Sequence, residues 1–143
     1  MARSFLALLF FTILHVASAQ TRFVVTNVSI TEKDQVRNGQ DVTAVIKGAE
    51  GDDRVVLYDQ DGIFLETQVR VRTHNSNRSS VKEGAVYVTF EVRLKMLGEN
   101  DRRTIQKVFY AEQERTAHIK EKFTVKHGID VRVVTVEFDG RIE

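Results

Sequence analysis

Cysteine, proline and tryptophan are all absent from this chain of 143 residues. Without cysteine there are no disulfides, no cysteine-ligated zinc and no thiol chemistry, so the fold must rest on packing and hydrogen bonding alone. Without proline no cis-proline turn is available, and the loops must be shaped by Gly, Asn and Asp. The Cys, Trp and Cys residues that mark true immunoglobulin domains are therefore missing, and the sequence indicates no family.

Long apolar runs are lacking as well, because no charge-free segment after residue 19 approaches the roughly 20 residues of a membrane-spanning helix. Residues 1–19 contain Arg3, an apolar stretch over residues 5–14 and small residues at 17–19, which is the layout of a secretory signal peptide. The apolar stretch is too short to span a membrane. We predict cleavage after residue 19, a single domain over residues 20–143, and a secreted, extracellular protein without membrane insertion.

Neither sign of charge dominates the predicted mature chain. The full sequence has 21 basic and 20 acidic residues, and removal of Arg3 with the signal peptide leaves 20 of each. Such a balance predicts no bulk attraction to nucleic acid or to anionic membranes.

Two Asn-X-Ser triplets, at Asn27 and Asn77, are candidate glycosylation sites. Such a triplet accepts a glycan in a secreted eukaryotic protein when the asparagine is exposed. Asn77 lies in the polar run THNSNRSS, which reads as an exposed loop, and it is the stronger candidate. Asn27 lies inside a strand-like run and is the weaker one.

Alternating apolar and polar residues are the recurring pattern of the mature chain. In AVYVTFEVRLK, residues 85–95, every second side chain is apolar, which predicts a strand with one buried face and one wet face. Shorter segments with the same alternation are separated by turn signals such as RNGQ, DQDG and KHG. We predict an all-β, antiparallel β-sandwich of about seven to nine strands, immunoglobulin-like or fibronectin-like in pattern only. A small closed β-barrel is the alternative.

Two segments break the simple pattern. Apolar residues occupy positions 129, 131 and 133 and then change phase to 134, 136 and 138, which predicts a β-bulge at Val133-Val134. Residues 102–122 contain good helix formers, but charged residues interrupt the apolar stripe between Phe109 and Ile119. We predict a strand, a turn near AEQERT and a second strand here, with a short helix as the alternative.

The segment DQDG, with Asp59 and Asp61, resembles part of a calcium-binding loop. In an EF-hand register, however, Leu57 and Gln68 would occupy positions that require oxygen ligands and a glutamate. Asp61-Gly62 between two apolar runs is instead a strong hairpin signal, because Gly accepts a positive φ. We predict a turn, and the two aspartates remain only weak metal candidates.

No catalytic motif or cofactor-binding motif is found in the sequence. His74, His118 and His127 lack the spacing of metal ligands, and no G-x-S-x-G elbow surrounds any serine. The serines at 76, 79 and 80 lie in a polar loop, where preorganised catalysis is hard to achieve. We therefore predict neither an enzyme nor a bound cofactor.

These observations favour a non-catalytic domain that binds an extracellular protein or glycan. The contact would use loops or a sheet face, such as the polar face with Tyr87, Thr89 and Arg93. A small secreted lipid-carrier barrel is the alternative hypothesis, and an enzyme without a recognisable motif is the second. An unpaired edge strand would also allow a homodimer.

Overall fold

The structure is a computed structural model that describes residues 20–48, 50–73, 85–109 and 115–143. Strands make up 85% of these residues, and they include no helix. In chain order the strands are β1 (Gln20–Glu32), β2 (Gln35–Asn38), β3 (Val42–Lys47), β4 (Gly51–Gln60), β5 (Ile63–Thr73), β6 (Val86–Met96), β7 (Glu99–Phe109), β8 (Thr116–His127) and β9 (Asp130–Ile142).

The strands form two separate antiparallel sheets. The five-stranded sheet has the order β2-β1-β9-β8, with β3 also paired to β1, and the four-stranded sheet has the order β4-β5-β6-β7. The sheets do not close into a barrel, so the sandwich prediction is confirmed and the barrel alternative is wrong.

Phenylalanine rings fill the space between the two sheets. The Phe23 and Phe90 ring centroids lie 5.1 Å apart, and Phe138 and Phe109 add edge-on contacts to this pair. The inward side chains of β6 from Val88 to Leu94, including Phe90, are fully buried, as the alternation predicts. Burial of each such side chain contributes roughly 1.5–3 kcal/mol.

Four two-residue turns lie at one end of the sandwich, which we call the hairpin end. They join β1 to β2, β4 to β5, β6 to β7 and β8 to β9. Two contacts connect the two sheets at this end: Arg37 Nε lies 3.9 Å from Asp61 Oδ2, and His127 Nδ1 lies 3.7 Å from Glu99 Oε1.

The Asp61-Gly62 turn is a type I′ hairpin, as the sequence predicts. Gln60 pairs with Ile63 across the turn, and Asp61 and Gly62 have φ angles of 54° and 72°. Two consecutive positive φ angles match the right-handed twist of the flanking strands.

The structure corrects the prediction that residues 102–122 form a strand, a turn and a second strand paired with the first. Their described parts belong to β7 and β8, so the strands are confirmed and the helix alternative is wrong for these residues. The two strands do not form a hairpin, because β7 pairs with β6 whereas β8 pairs with β9 in the other sheet. The chain therefore passes from one sheet to the other here, and most of AEQERT lies outside the described residues.

The predicted bulge at Val133-Val134 is wrong. Strand β9 pairs with β8 in unbroken register, and the irregularity lies in β1, where Asn27 and Val28 together oppose Phe138. Since β9 keeps its phase, its early apolar residues face away from the core instead of entering it. They are the exposed residues described next.

Candidate functional site

The outer face of the five-stranded sheet carries exposed apolar side chains near the hairpin end. Ile129 in the β8–β9 turn is 99% exposed, and Val131 and Val133 on β9 are 57% and 41% exposed. Val36, on β2 of the same sheet, is 61% exposed. Patches of this kind on a small domain are candidate contact surfaces.

Strand register explains why these valines stand together with threonines. Val133 lies opposite Thr124 of β8, while Thr135 lies opposite Thr31 of β1, which in turn faces Val36. We call this surface the valine–threonine face, and its residues are Thr31, Val36, Thr124, Val131, Val133 and Thr135. Its short β-branched side chains have restricted χ1 angles, so they lose little conformational freedom when a partner contacts them.

Lysines border this face. Lys122 lies opposite Thr135, and Lys126 lies opposite Val131. Neither forms an ion pair within the part of the chain that the structure describes, whereas their neighbour Lys120 contacts Glu137 at 2.7 Å. The rim therefore presents positive charge that no described residue neutralises through an ion pair.

An ionic cluster beneath the face closes the end of the core. Arg132 donates two hydrogen bonds from Nε and Nη2 to the Glu32 carboxylate, and Arg37 Nη1 lies 3.9 Å from the same carboxylate. The Glu32 side chain is only 12% exposed. The hydrogen bonds from Arg132 hold the pKa of Glu32 below its ordinary value. The cluster thereby ties the start of β9 to the end of β1.

The two aspartates of DQDG lie at the end of β4 and in the β4–β5 turn. The Tyr58 hydroxyl donates to Asp61 Oδ2 at 3.3 Å, and burial raises the pKa of Tyr58. Asp59 lies opposite Phe64 at the end of β4. Among the described residues, no group of three or more His, Asp or Glu side chains is arranged to hold a metal ion.

Asn27 lies on the outer face in a hydrogen-bonded group with two strands of the same sheet. Its Nδ2 donates to Asp139 Oδ2 at 2.9 Å, and His118 Nδ1 lies 2.7 Å from Asp139 Oδ1. These contacts hold the pKa of Asp139 below its ordinary value. Asn27 is exposed, with a φ of 53° in the β1 bulge. Its glycosylation stays a prediction, as does that of Asn77.

Asn77 and the remaining candidates of the polar loop lie outside the described residues. They are His74 and the serines at 76, 79 and 80.

The polar face with Tyr87, Thr89 and Arg93 belongs to the four-stranded sheet. Arg93 contacts Glu66 at 3.2 Å and Glu91 at 3.5 Å, and Arg102 contacts Glu91 at 3.6 Å. A partner docking here would have to compete with these ion pairs or remove them from water. The valine–threonine face imposes no such requirement at its centre.

No protein-family model, no curated protein and no solved structure matches this chain. Across residues 20–48, 50–73, 85–109 and 115–143, no helix is long and apolar enough to cross a membrane. The candidate site therefore rests on its geometry alone.

The valine–threonine face was not predicted from the sequence. The signal was present in the run VRVV, residues 131–134, whose valines occupy both parities of the strand, because a strand with one wet face cannot bury neighbours of both parities. Such a run is equally consistent with a bulge and with a row of exposed apolar residues, and only the register with β8 distinguishes these two structures.

Proposed function

We propose that this protein is a secreted, non-catalytic binding domain that recognises an extracellular protein through the valine–threonine face. The observation that carries the proposal is the row of exposed Val131 and Val133 beside Lys122 and Lys126, which form no ion pair with any described residue. The preferred partner has an apolar centre and an acidic rim.

Physical chemistry supports this choice of surface over the rest of the molecule. Removing the exposed valines from water is favourable, and the flanking threonine hydroxyls supply donors and acceptors that fix orientation. Lys122 and Lys126 would attract carboxylates and speed association. A glycan would instead require stacked aromatics or a dense polar groove, and the face has threonines and valines in their place.

Two other hypotheses have less support. The lipid-carrier hypothesis relied on a closed barrel with an apolar cavity, whereas two separate sheets enclose packed phenylalanine rings. The enzyme hypothesis stays a prediction without named residues. Mass spectrometry of the purified protein that found stoichiometric lipid would favour the carrier and contradict the binding proposal.

The test compares capture of extracellular proteins by residues 20–143 and by the double variant V131T/V133T. Valine to threonine keeps the shape and strand preference but places hydroxyls at the proposed centre of contact. For a captured protein, we expect the double variant to lower affinity by at least about tenfold.

Val45→Thr is the matched control, because Val45 is a 38% exposed valine on β3 of the same sheet, outside the proposed face. Circular dichroism and thermal unfolding should show all variants folded. Equal affinity of the double variant and the native chain would contradict the proposal.

A further inference from the structure

Strand β7 forms one edge of the four-stranded sheet and has no strand partner on its outer side among the described residues. It runs for 11 residues, and most of its side chains are exposed. An edge of this length presents a row of backbone donors and acceptors to other chains. We infer that β7 pairs antiparallel with β7 of a second copy of this chain, in a register centred on Thr104.

The other three edges of the sandwich are less suited to pairing with a second copy. On β4, the Leu57 carbonyl accepts a hydrogen bond from Gln40 N at 3.1 Å, and Asp53 Oδ2 accepts one from Val45 N at 2.9 Å. In the five-stranded sheet, the edge farthest from β8 is divided between the short strands β2 and β3.

Strand β8 is long, but its own charges oppose self-pairing. In a symmetric antiparallel pair of two copies, even-numbered residues face even-numbered residues. The lysines at 120, 122 and 126 therefore face one another in every register that pairs most of the strand. Registers centred on Lys120 or Lys122 place that lysine opposite the same lysine of the second copy. Registers centred on 121 and 123 place Lys120 opposite Lys122 or Lys126. Like charges directly opposite destabilise a strand pair, and lysines on an edge are a common protection against association.

Strand β7 has a different charge pattern. Centred on Thr104, it pairs over its whole length, and no like charges face each other. Asp101 of each copy then lies opposite Lys107 of the other, which makes two symmetric ion pairs. Lys107 forms no ion pair within the described residues, so it is available for this contact.

Sliding one copy by two residues destroys this match. A shift in one direction brings Arg103 opposite Arg103, and a shift in the other brings Arg103 opposite Lys107. Arg103 cannot easily move aside, because its guanidinium lies 5.3 Å from the Phe123 ring centroid and contacts Asp101 at 2.9 Å. The charge pattern therefore favours the register centred on Thr104 over those shifted by two residues, and the dimer leaves the valine–threonine face on the other sheet unused.

The first test exploits the absence of cysteine. In the proposed register the two Thr104 Cα atoms are about 4.5–5.5 Å apart, within the range a disulfide bridges. Thr104→Cys should therefore give a covalent dimer under mild oxidation. Gln106→Cys, exposed on the same strand face, is the matched control, because its Cα atoms would be about 13 Å apart. Cross-linking of Q106C as fast as T104C would overturn the proposal.

The second test is charge complementation measured by sedimentation. Native residues 20–143 should self-associate in a concentration-dependent manner. Lys107→Glu and Asp101→Lys each place two pairs of like charges in the dimer, so each alone should weaken association by at least about tenfold. An equimolar mixture should restore it, because every facing pair is then of opposite charge.

Lys47→Glu, at an exposed position on β3, is the control with the same change of charge, and it should associate as the native chain does. If Asp101→Lys fails to fold, the Lys107→Glu result and the cysteine pair still decide. A native chain that stays monomeric at every concentration, or a mixture no more associated than its components, would contradict the inference.

Discussion

Glu32 shows how a single ionic residue secures the hairpin end. Its carboxylate accepts two hydrogen bonds from Arg132 and also neighbours Arg37, in a cluster only partly open to water. Glu32→Gln should lower the free energy of unfolding at pH 7 by about 2 kcal/mol, because two guanidinium groups lose their anion. Urea unfolding at fixed pH measures this change.

The pH dependence of that loss has a definite sign. The folded-state pKa of Glu32 lies below its ordinary value of 4.5, mainly because Arg132 hydrogen-bonds the carboxylate. The stabilisation is therefore complete above pH 4.5 and is lost as the pH falls through the lower, folded-state pKa. The native chain and E32Q should converge in acid, and a gap of constant size would contradict this assignment. Glu137→Gln, in an exposed pair with Lys120, should change stability much less.

Gly140 is a residue whose role is steric. A Cβ atom there would lie 2.5 Å from the Phe23 ring, inside the aromatic cluster of the core. Gly140→Ala should lower the free energy of unfolding by about 2 kcal/mol, because the ring must leave its packed position. Thermal unfolding measures this change in free energy. A change below about 0.5 kcal/mol would show that the core accommodates the added methyl group without loss of packing.

In the Leu97-Gly98 turn between β6 and β7, the residue type conflicts with the backbone conformation that the turn requires. Both residues have positive φ angles, 52° and 74°, as type I′ turns require, although leucine tolerates this region poorly. Leu97→Asn should raise the free energy of unfolding by about 0.5–1 kcal/mol, since asparagine accepts this conformation. Leu97→Ala should give no such gain, and equal effects of both substitutions would contradict the explanation.

Elements were predictable from the sequence where local chemistry alone decides them. The alternation of β6 and the Asp61-Gly62 turn depend on side-chain period and on positive φ, and both are visible in short windows of sequence. The β1 bulge was not predicted, because Val24 has the same parity as Val28 and Ile30 and so hides the change of phase after Val25. The outward phase of Val131 and Val133 depends on pairing with a distant strand.

At the scale of the whole molecule, the sandwich class followed from many short alternating strands, but the pairing of strands did not. Whether β7 and β8 form a hairpin or lie in different sheets depends on which neighbours bury their apolar sides, and charge patterns along the chain do not encode this. The ionic cluster was also hidden, since Glu32 and Arg132 are 100 residues apart in sequence. A candidate site assembled from such contacts appears only in three dimensions.

Amide NMR mapping with a captured partner tests whether the valine–threonine face is the binding surface. We predict that the largest chemical-shift changes on adding the partner occur at Thr124, Val131 and Val133, with little change across the four-stranded sheet. Changes concentrated instead around Tyr87, Thr89 and Arg93 would contradict the account and place binding on the opposite face.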